Sequence, residues 1–257
     1  MQASDVNGPG TFTQRSVNRE RSRPRPWTVG HRGASALAPE NSLRAFELAI
    51  EHGLDLAELD VHLSRDGELM VIHDADLTHV AGRPVNVAEL TATELGQVDV
   101  GDGRGVPRLV DVFELAHGCL GVHVELKGPR TGAALGELVR MGAAEGLELI
   151  GGSFHPELVD ELREAAPAIP RSVLFPRRTV DEMVAICRSL NATYAHPCFR
   201  PVDHAMVEAL HQAGLLVMTP HTNDPSEARE FARLGVDVIA SDDPRVLAGL
   251  SESDVGP

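Results

Sequence analysis

Aromatic side chains are scarce in this sequence: one Trp, one Tyr and seven Phe make up 4% of 257 residues. With hydrophobic residues at 42%, a sizeable core has to be built from Ala, Val, Leu and Ile, which suits layered strands and helices. Cysteine is scarcer still. Cys119, Cys187 and Cys198 are odd in number and include no CxxC pair, so neither a disulfide framework nor a thiolate zinc site is indicated and a reducing compartment fits. No apolar run approaches the roughly 20 residues of a membrane span, and no signal-peptide core is visible. The expectation is a soluble, cytoplasmic protein. Cations are outnumbered, 23 Lys and Arg against 38 Asp and Glu, for a formal charge of −15. That balance argues against nucleic acid, which is held by clustered cations, and against anionic membranes. An anionic substrate would need a metal ion or a few well-placed cations to reverse the field locally.

What is present is an alternation. Residues 1–25 are polar, Arg-rich and dotted with Gly and Pro, and read as a flexible tail; residues 251–257 read as a second tail. Between them, residues 26–250 suit one α/β barrel domain of about 250 residues. Nine short apolar runs stand out: WTVGH, DLAELDV, ELMVIHD, LGVHVELK, LELIGGSF, PRSVLFP, ATYAHP, LLVMTP and VDVIASD. The segments between them carry helical spacing. NSLRAFELAIEHG shows it well, with Asn41 or Ser42 as a cap, Leu43, Phe46 and Ile50 on one face, and Gly53 as the stop. LSRDGE is too short for a parallel crossover of a dozen or so residues. The second and third runs therefore form a hairpin turning at Arg65-Asp66-Gly67. The Gly-rich stretch LTATELGQVDVGDGRGVPR reads as a surface loop. Repeated strand-helix units with no GxGxxG opening favour a single TIM (β/α)8 barrel over a dinucleotide-binding fold.

In such a barrel the reactive side chains sit at the C-terminal ends of strands. Polar pairs line up there: His31 with Arg32, Glu58 with Asp60, His73 with Asp74, and Glu125 with Lys127. Glu58 and Asp60 are two residues apart on a strand and share a face. Two carboxylates inside a barrel repel and lose hydration unless a cation lies between them. Glu58, Asp60 and Glu125, with no thiolate, suit a hard divalent ion such as Mg²⁺ or Ca²⁺. His31 and His73 end two different strands beside the carboxylates and can divide acid and base roles. Arg32 offers a fork, and Lys127 a point charge, to a phosphoryl oxygen. Glu40 and Asn41 brace the loop after Arg32. His52, His62, His79, His117, His204 and His211 read as surface residues; the roles of His196 and His221 stay open.

These residues resemble those of the glycerophosphodiester phosphodiesterase family. The matching stretches are HRGAS, APENSLRAF, ELDVHLSRDGELMVIHD, VELK, GGSFHPELVDELRE and GVDVIASDDP, in the family's order across residues 30–245. The resemblance implies a phospholipase-C-like phosphodiesterase barrel with a divalent metal on Glu58, Asp60 and Glu125. It also implies acid-base catalysis by His31 and His73 and phosphate contacts from Arg32 and Lys127. In the implied reaction the glycerol 2-hydroxyl attacks phosphorus and expels the head-group alcohol. Water then opens the cyclic phosphate to glycerol 3-phosphate. Two stretches depart from the family's pattern, LTHVAGRP after His73 and MTPHTND around Pro220 and His221, and both bear on substrate identity. The alternatives are a phosphodiesterase for lysophospholipids and a non-catalytic barrel that binds phosphate compounds. The partner is a small molecule, with no nucleic acid and no stable membrane insertion.

Overall fold

The computed structural model describes residues 25–250; the tails expected at 1–24 and 251–257 lie outside the described residues. Arg25, placed in the first tail by its sequence, is instead tied down. Its guanidinium bonds both carboxylate oxygens of Asp55, at 2.6 and 3.2 Å.

Eleven strands occur among the described residues: β1 (Trp27–Gly30), β2 (Leu56–Leu63), β3 (Leu69–Val71), β4 (Asp76–Leu77), β5 (Arg83–Asn86), β6 (Gly121–Leu126), β7 (Leu149–Ser153), β8 (Arg171–Phe175), β9 (Tyr194–Pro197), β10 (Leu216–Val217) and β11 (Val238–Ser241). Eight of them run parallel in the order β10-β9-β8-β7-β6-β2-β1-β11. Closure comes from a parallel bridge between Met218 and Val238 and from the bond Asp237 N–H to Val217 O at 3.0 Å. The expected (β/α)8 barrel is therefore present, and all nine runs contain strands.

β3 pairs antiparallel with β2, Val61 opposite Val71 and Leu63 opposite Leu69. The expected hairpin turns where Gly67 takes a φ of 87°, a conformation costly for any residue with a Cβ. Ser42, not Asn41, caps the helix Leu43–Glu51 by accepting from Ala45 N–H. Asn41 is held elsewhere, as described below.

Period-2 alternation sorts the core. Trp27, Val29, Leu56, Ile150, Tyr194, Leu216, Met218 and Val238 fill the barrel floor. Ala57, Leu59, Val61, Val122, Val124 and Leu126 point outward to the surrounding helices. The stretch 90–108 corrects the expected bare loop: it contains the helix Ala92–Leu95, started by a capping box of Thr91 and Glu94. Leu95, Val98 and Val106 pack with Met70, Ile72, Leu77 and Val87 into a small core of their own. This insertion, with the two-stranded β4-β5 ribbon, is built out from the end of β3, beside His73.

Candidate active site

The polar ends of β1, β2, β3 and β6 converge on one cavity of about 270 Å³, lined among others by His31, Arg32, Glu58, His73, Glu125 and Lys127. Glu58, Asp60 and Glu125 are all buried, and one oxygen from each lies within 4.8 Å of the others. Adjacency of β2 and β6, with Asp60 opposite Glu125 in register, produces this crowding. Burial and the charge of Asp60 push the Glu58 carboxyl up to about 8, and the same two causes raise Glu125. Burial also works against the Asp60 charge, but Lys127, His73, Asn41 and Arg32 outweigh it and hold Asp60 below the usual range. Three such carboxylates, all oxygen donors, fit a hard divalent cation, and this group could hold a metal ion.

Two cations flank the group. Lys127 Nζ lies 3.3 Å from Asp60 Oδ1 and 3.0 Å from Glu125 Oε1. Arg32 Nε faces Asp60 Oδ2 at 3.5 Å, and its NH1 donates to both Glu40 oxygens at 2.9 Å. Asn41 Nδ2 donates to Asp60 Oδ2 at 2.9 Å. Arg32 and Asn41 both adopt φ of 55°, uncommon for residues with a Cβ. Their backbones are held by the Asn41 N–H to Arg32 O bond and by the Arg32 N–H to Glu58 Oε2 bond. Glu40 thus bonds the Arg32 guanidinium, and Asn41 reaches both Arg32 O and the Asp60 carboxylate.

The two histidines share a pattern. His31 Nδ1 is 2.7 Å from Asp242 Oδ1, and His73 Nδ1 is 2.7 Å from Asp74 Oδ1. A carboxylate only accepts, so each Nδ1 carries its hydrogen and Nε2 is the nitrogen left for other partners. His31 Nε2 stands 4.0 Å from Glu58 Oε2. Burial lowers the His31 pKa, but the Asp242 bond and the Glu58 charge exceed that effect and raise it overall.

Asp242 and His123 were missed in sequence, where the role of His196 stayed open. Asp242 closes the His31 pair. His123 is buried in the barrel interior with Nε2 2.8 Å from Ser172 Oγ, and burial with the nearby His196 pushes its pKa down to about 3. His196, near the cavity, bonds Thr219 O at 2.9 Å, and burial lowers it to about 4. Both are neutral imidazoles at physiological pH. His123 shares the parity of Glu125 and Lys127, which is the signal that could have found it. His62 and His211 are corrections to the surface reading. His62 is half-buried, with Nε2 3.1 Å from His73 O, and His211 Nε2 lies 2.8 Å from Asp237 Oδ2. Burial pushes the Cys187 and Cys198 thiols up to about 12, which disfavours thiolate chemistry.

Residues 31–246 match the glycerophosphoryl diester phosphodiesterase family model. A glycerophosphodiester phosphodiesterase of Caldanaerobacter subterraneus subsp. tengcongensis is 30% identical over 240 residues, covering 86% of this chain and 96% of that protein. A glycerophosphodiester phosphodiesterase structure from Agrobacterium tumefaciens is 31% identical at a TM-score of 0.75, covering 88% of this chain and 100% of that one. An Oleispira antarctica phosphodiesterase, solved in complex with the product sn-glycerol-3-phosphate, is 26% identical at a TM-score of 0.78, covering 87% of this chain and 96% of that one. Barrel, polar cavity and sequence agree, and the chain belongs to the glycerophosphoryl diester phosphodiesterase family.

Proposed function

We propose that this protein hydrolyses glycerophosphodiesters to glycerol 3-phosphate and an alcohol, with His31 and His73 as the proton-transferring pair. The observation that carries the reading is the pair of carboxylate-bound histidines in one cavity with three crowded carboxylates. The product named for the Oleispira antarctica structure supports the substrate class.

Glu58, Asp60 and Glu125 would hold a hard divalent ion, which supplies Lewis-acid stabilisation of charge on the phosphoryl oxygens when bound. Arg32 and Lys127 bind the remaining anionic charge, giving a protein of net charge −15 its local cationic surface. His73 Nε2 takes the proton of the attacking glycerol 2-hydroxyl. His31, whose pKa the Asp242 bond and the Glu58 charge raise against burial, gives a proton to the departing oxygen, so the alcohol leaves neutral. Water then opens the cyclic phosphate with the proton roles reversed, and both histidines return to their starting states.

The test is release of glycerol 3-phosphate from a panel of glycerophosphodiesters, with EDTA and with Mg²⁺ or Ca²⁺ restored. Metal-dependent release that is lost in His31→Ala and in His73→Ala, with both variants still folded, is expected. Release from lysophospholipids alone would move the assignment to that larger substrate. Silence on both would leave a barrel that binds phosphate compounds without turning them over.

A further inference from the structure

The segment after β10 does something no part of the reaction above requires. Its His221 ring lies on the His31 ring, centroids 4.3 Å apart and planes within 6° of parallel. His221 is exposed while His31 is partly buried, so the outer ring covers the inner one on its solvent side. The segment is itself fastened. Thr222 N–H donates to Ala240 O at 2.9 Å, and Arg200 donates to His221 O at 3.0 Å while its guanidinium grips both Glu227 oxygens at 2.6 and 2.8 Å. Two residues on, Asn223 Nδ2 donates to Asp242 Oδ2 at 2.7 Å, and its Oδ1 accepts from Asp242 N–H at 3.0 Å.

From this geometry we infer that His221 is a positioning residue for the reaction proposed above, holding the plane of the His31 imidazole by stacking on it. The Asp242 bond fixes one atom of His31 but leaves the ring able to swing about that bond. A flat ring pressed on its face removes that freedom, and proton transfer is sensitive to misplacement of the reacting nitrogen by about an ångström. Asn223 acts on the other half of the pair, so one short segment clamps both. His31, His221 and Asp242 also lie close enough to suggest a metal site, but an ion binds in the plane of an imidazole, and two parallel rings share no such plane. The arrangement is a stack on a hydrogen-bonded pair.

The inference rests on the proposed hydrolysis, and its test separates the two. In His221→Ala we expect kcat for glycerol 3-phosphate release to fall by about 10- to 100-fold with KM changed by less than about threefold. His221→Phe, which keeps a flat ring but no nitrogen, should restore most of kcat. A wild-type kcat in His221→Ala would overturn the inference, and so would a Phe variant as slow as the Ala variant, because the nitrogen rather than the stack would then matter. Histidine NMR gives a second reading that needs no turnover. The His31 ring protons should be shifted upfield by the stacked ring in the wild type and in His221→Phe, and return downfield in His221→Ala. Unchanged His31 resonances in His221→Ala would overturn the stack itself. Failure of the reaction assignment shows separately, as a wild-type protein that releases no glycerol 3-phosphate.

Discussion

His31 and Asp242 are 211 positions apart in the chain, yet their side chains meet at 2.7 Å because β1 and β11 are parallel neighbours in the barrel, Gly30 opposite Ser241. Asp242 is in turn bonded by Ser35 Oγ at 3.1 Å and by Asn223. The His31 bond, reinforced by Asn223, holds its carboxyl below the usual range. A carboxylate kept ionised in this way fixes the hydrogen on His31 Nδ1. Asp242→Asn can offer an amide N–H to that nitrogen and so favour the wrong tautomer. Turnover should drop by about 10² to 10⁴-fold with little change in melting temperature. A variant that kept half of the wild-type kcat would remove Asp242 from the proton-transfer pair.

Glu58 makes a different kind of prediction, about pH and metal together. Its folded pKa of about 8 lies above its ordinary 4.5. Between those values the folded, metal-free protein keeps a proton that the unfolded chain has released, so stability falls as pH rises through the interval. A divalent cation on the three carboxylates displaces that proton and relieves the penalty. The gain in melting temperature on adding Mg²⁺ or Ca²⁺ should therefore be larger at pH 8 than at pH 6, and smaller at pH 8 in Glu58→Gln. Equal gains at both pH values would separate Glu58 from metal binding.

Period-2 parity made the inner walls legible in sequence. Glu58 and Asp60 on one run, and Glu125 and Lys127 on another, could be assigned to one face without knowing which strands were neighbours. Asp242 could not be paired with His31 in the same way, because that contact depends on the first and last strands meeting. His123 obeyed the parity rule, but a single histidine among twelve carries too little signal without its Ser172 partner, which comes from a different strand. Leu95, Val98 and Val106 follow no clean period, since they pack in an irregular insertion instead of on a sheet or a long helix. His221 stood out only as a departure, and its ring contact depends on a loop whose path no local pattern encodes.

Arg32 tests whether a fork or only a charge is needed. Its NH1 already bonds both oxygens of Glu40, and its Nε faces Asp60, so the guanidinium plane is fixed before substrate arrives. Arg32→Lys keeps the charge but cannot span Glu40 and a phosphoryl oxygen at once. KM for a glycerophosphodiester should rise about tenfold, equivalent to about 1.4 kcal/mol, with the larger part of the loss in KM rather than kcat. An unchanged KM would place the phosphate elsewhere.

Gly152 on β7 sets how closely the barrel interior can pack. A Cβ added there would lie 1.9 Å from Ser172 Oγ and 3.0 Å from His123 Nε2, so the glycine leaves the room in which the buried His123–Ser172 bond forms. Gly152→Ala forces the serine hydroxyl away and strands the neutral His123 ring without its partner. Overpacking of this kind costs about 1–3 kcal/mol, and leaving a buried polar group unpaired costs a comparable amount. The thermal midpoint should fall by several degrees. Ser172→Ala alone should also destabilise, by removing the partner while leaving the space. In the double variant the 1.9 Å clash has no hydroxyl to meet, so the two losses should be less than additive. Strict additivity in a double-mutant cycle of chemical denaturation would mean that Gly152 and Ser172 do not act on the same contact.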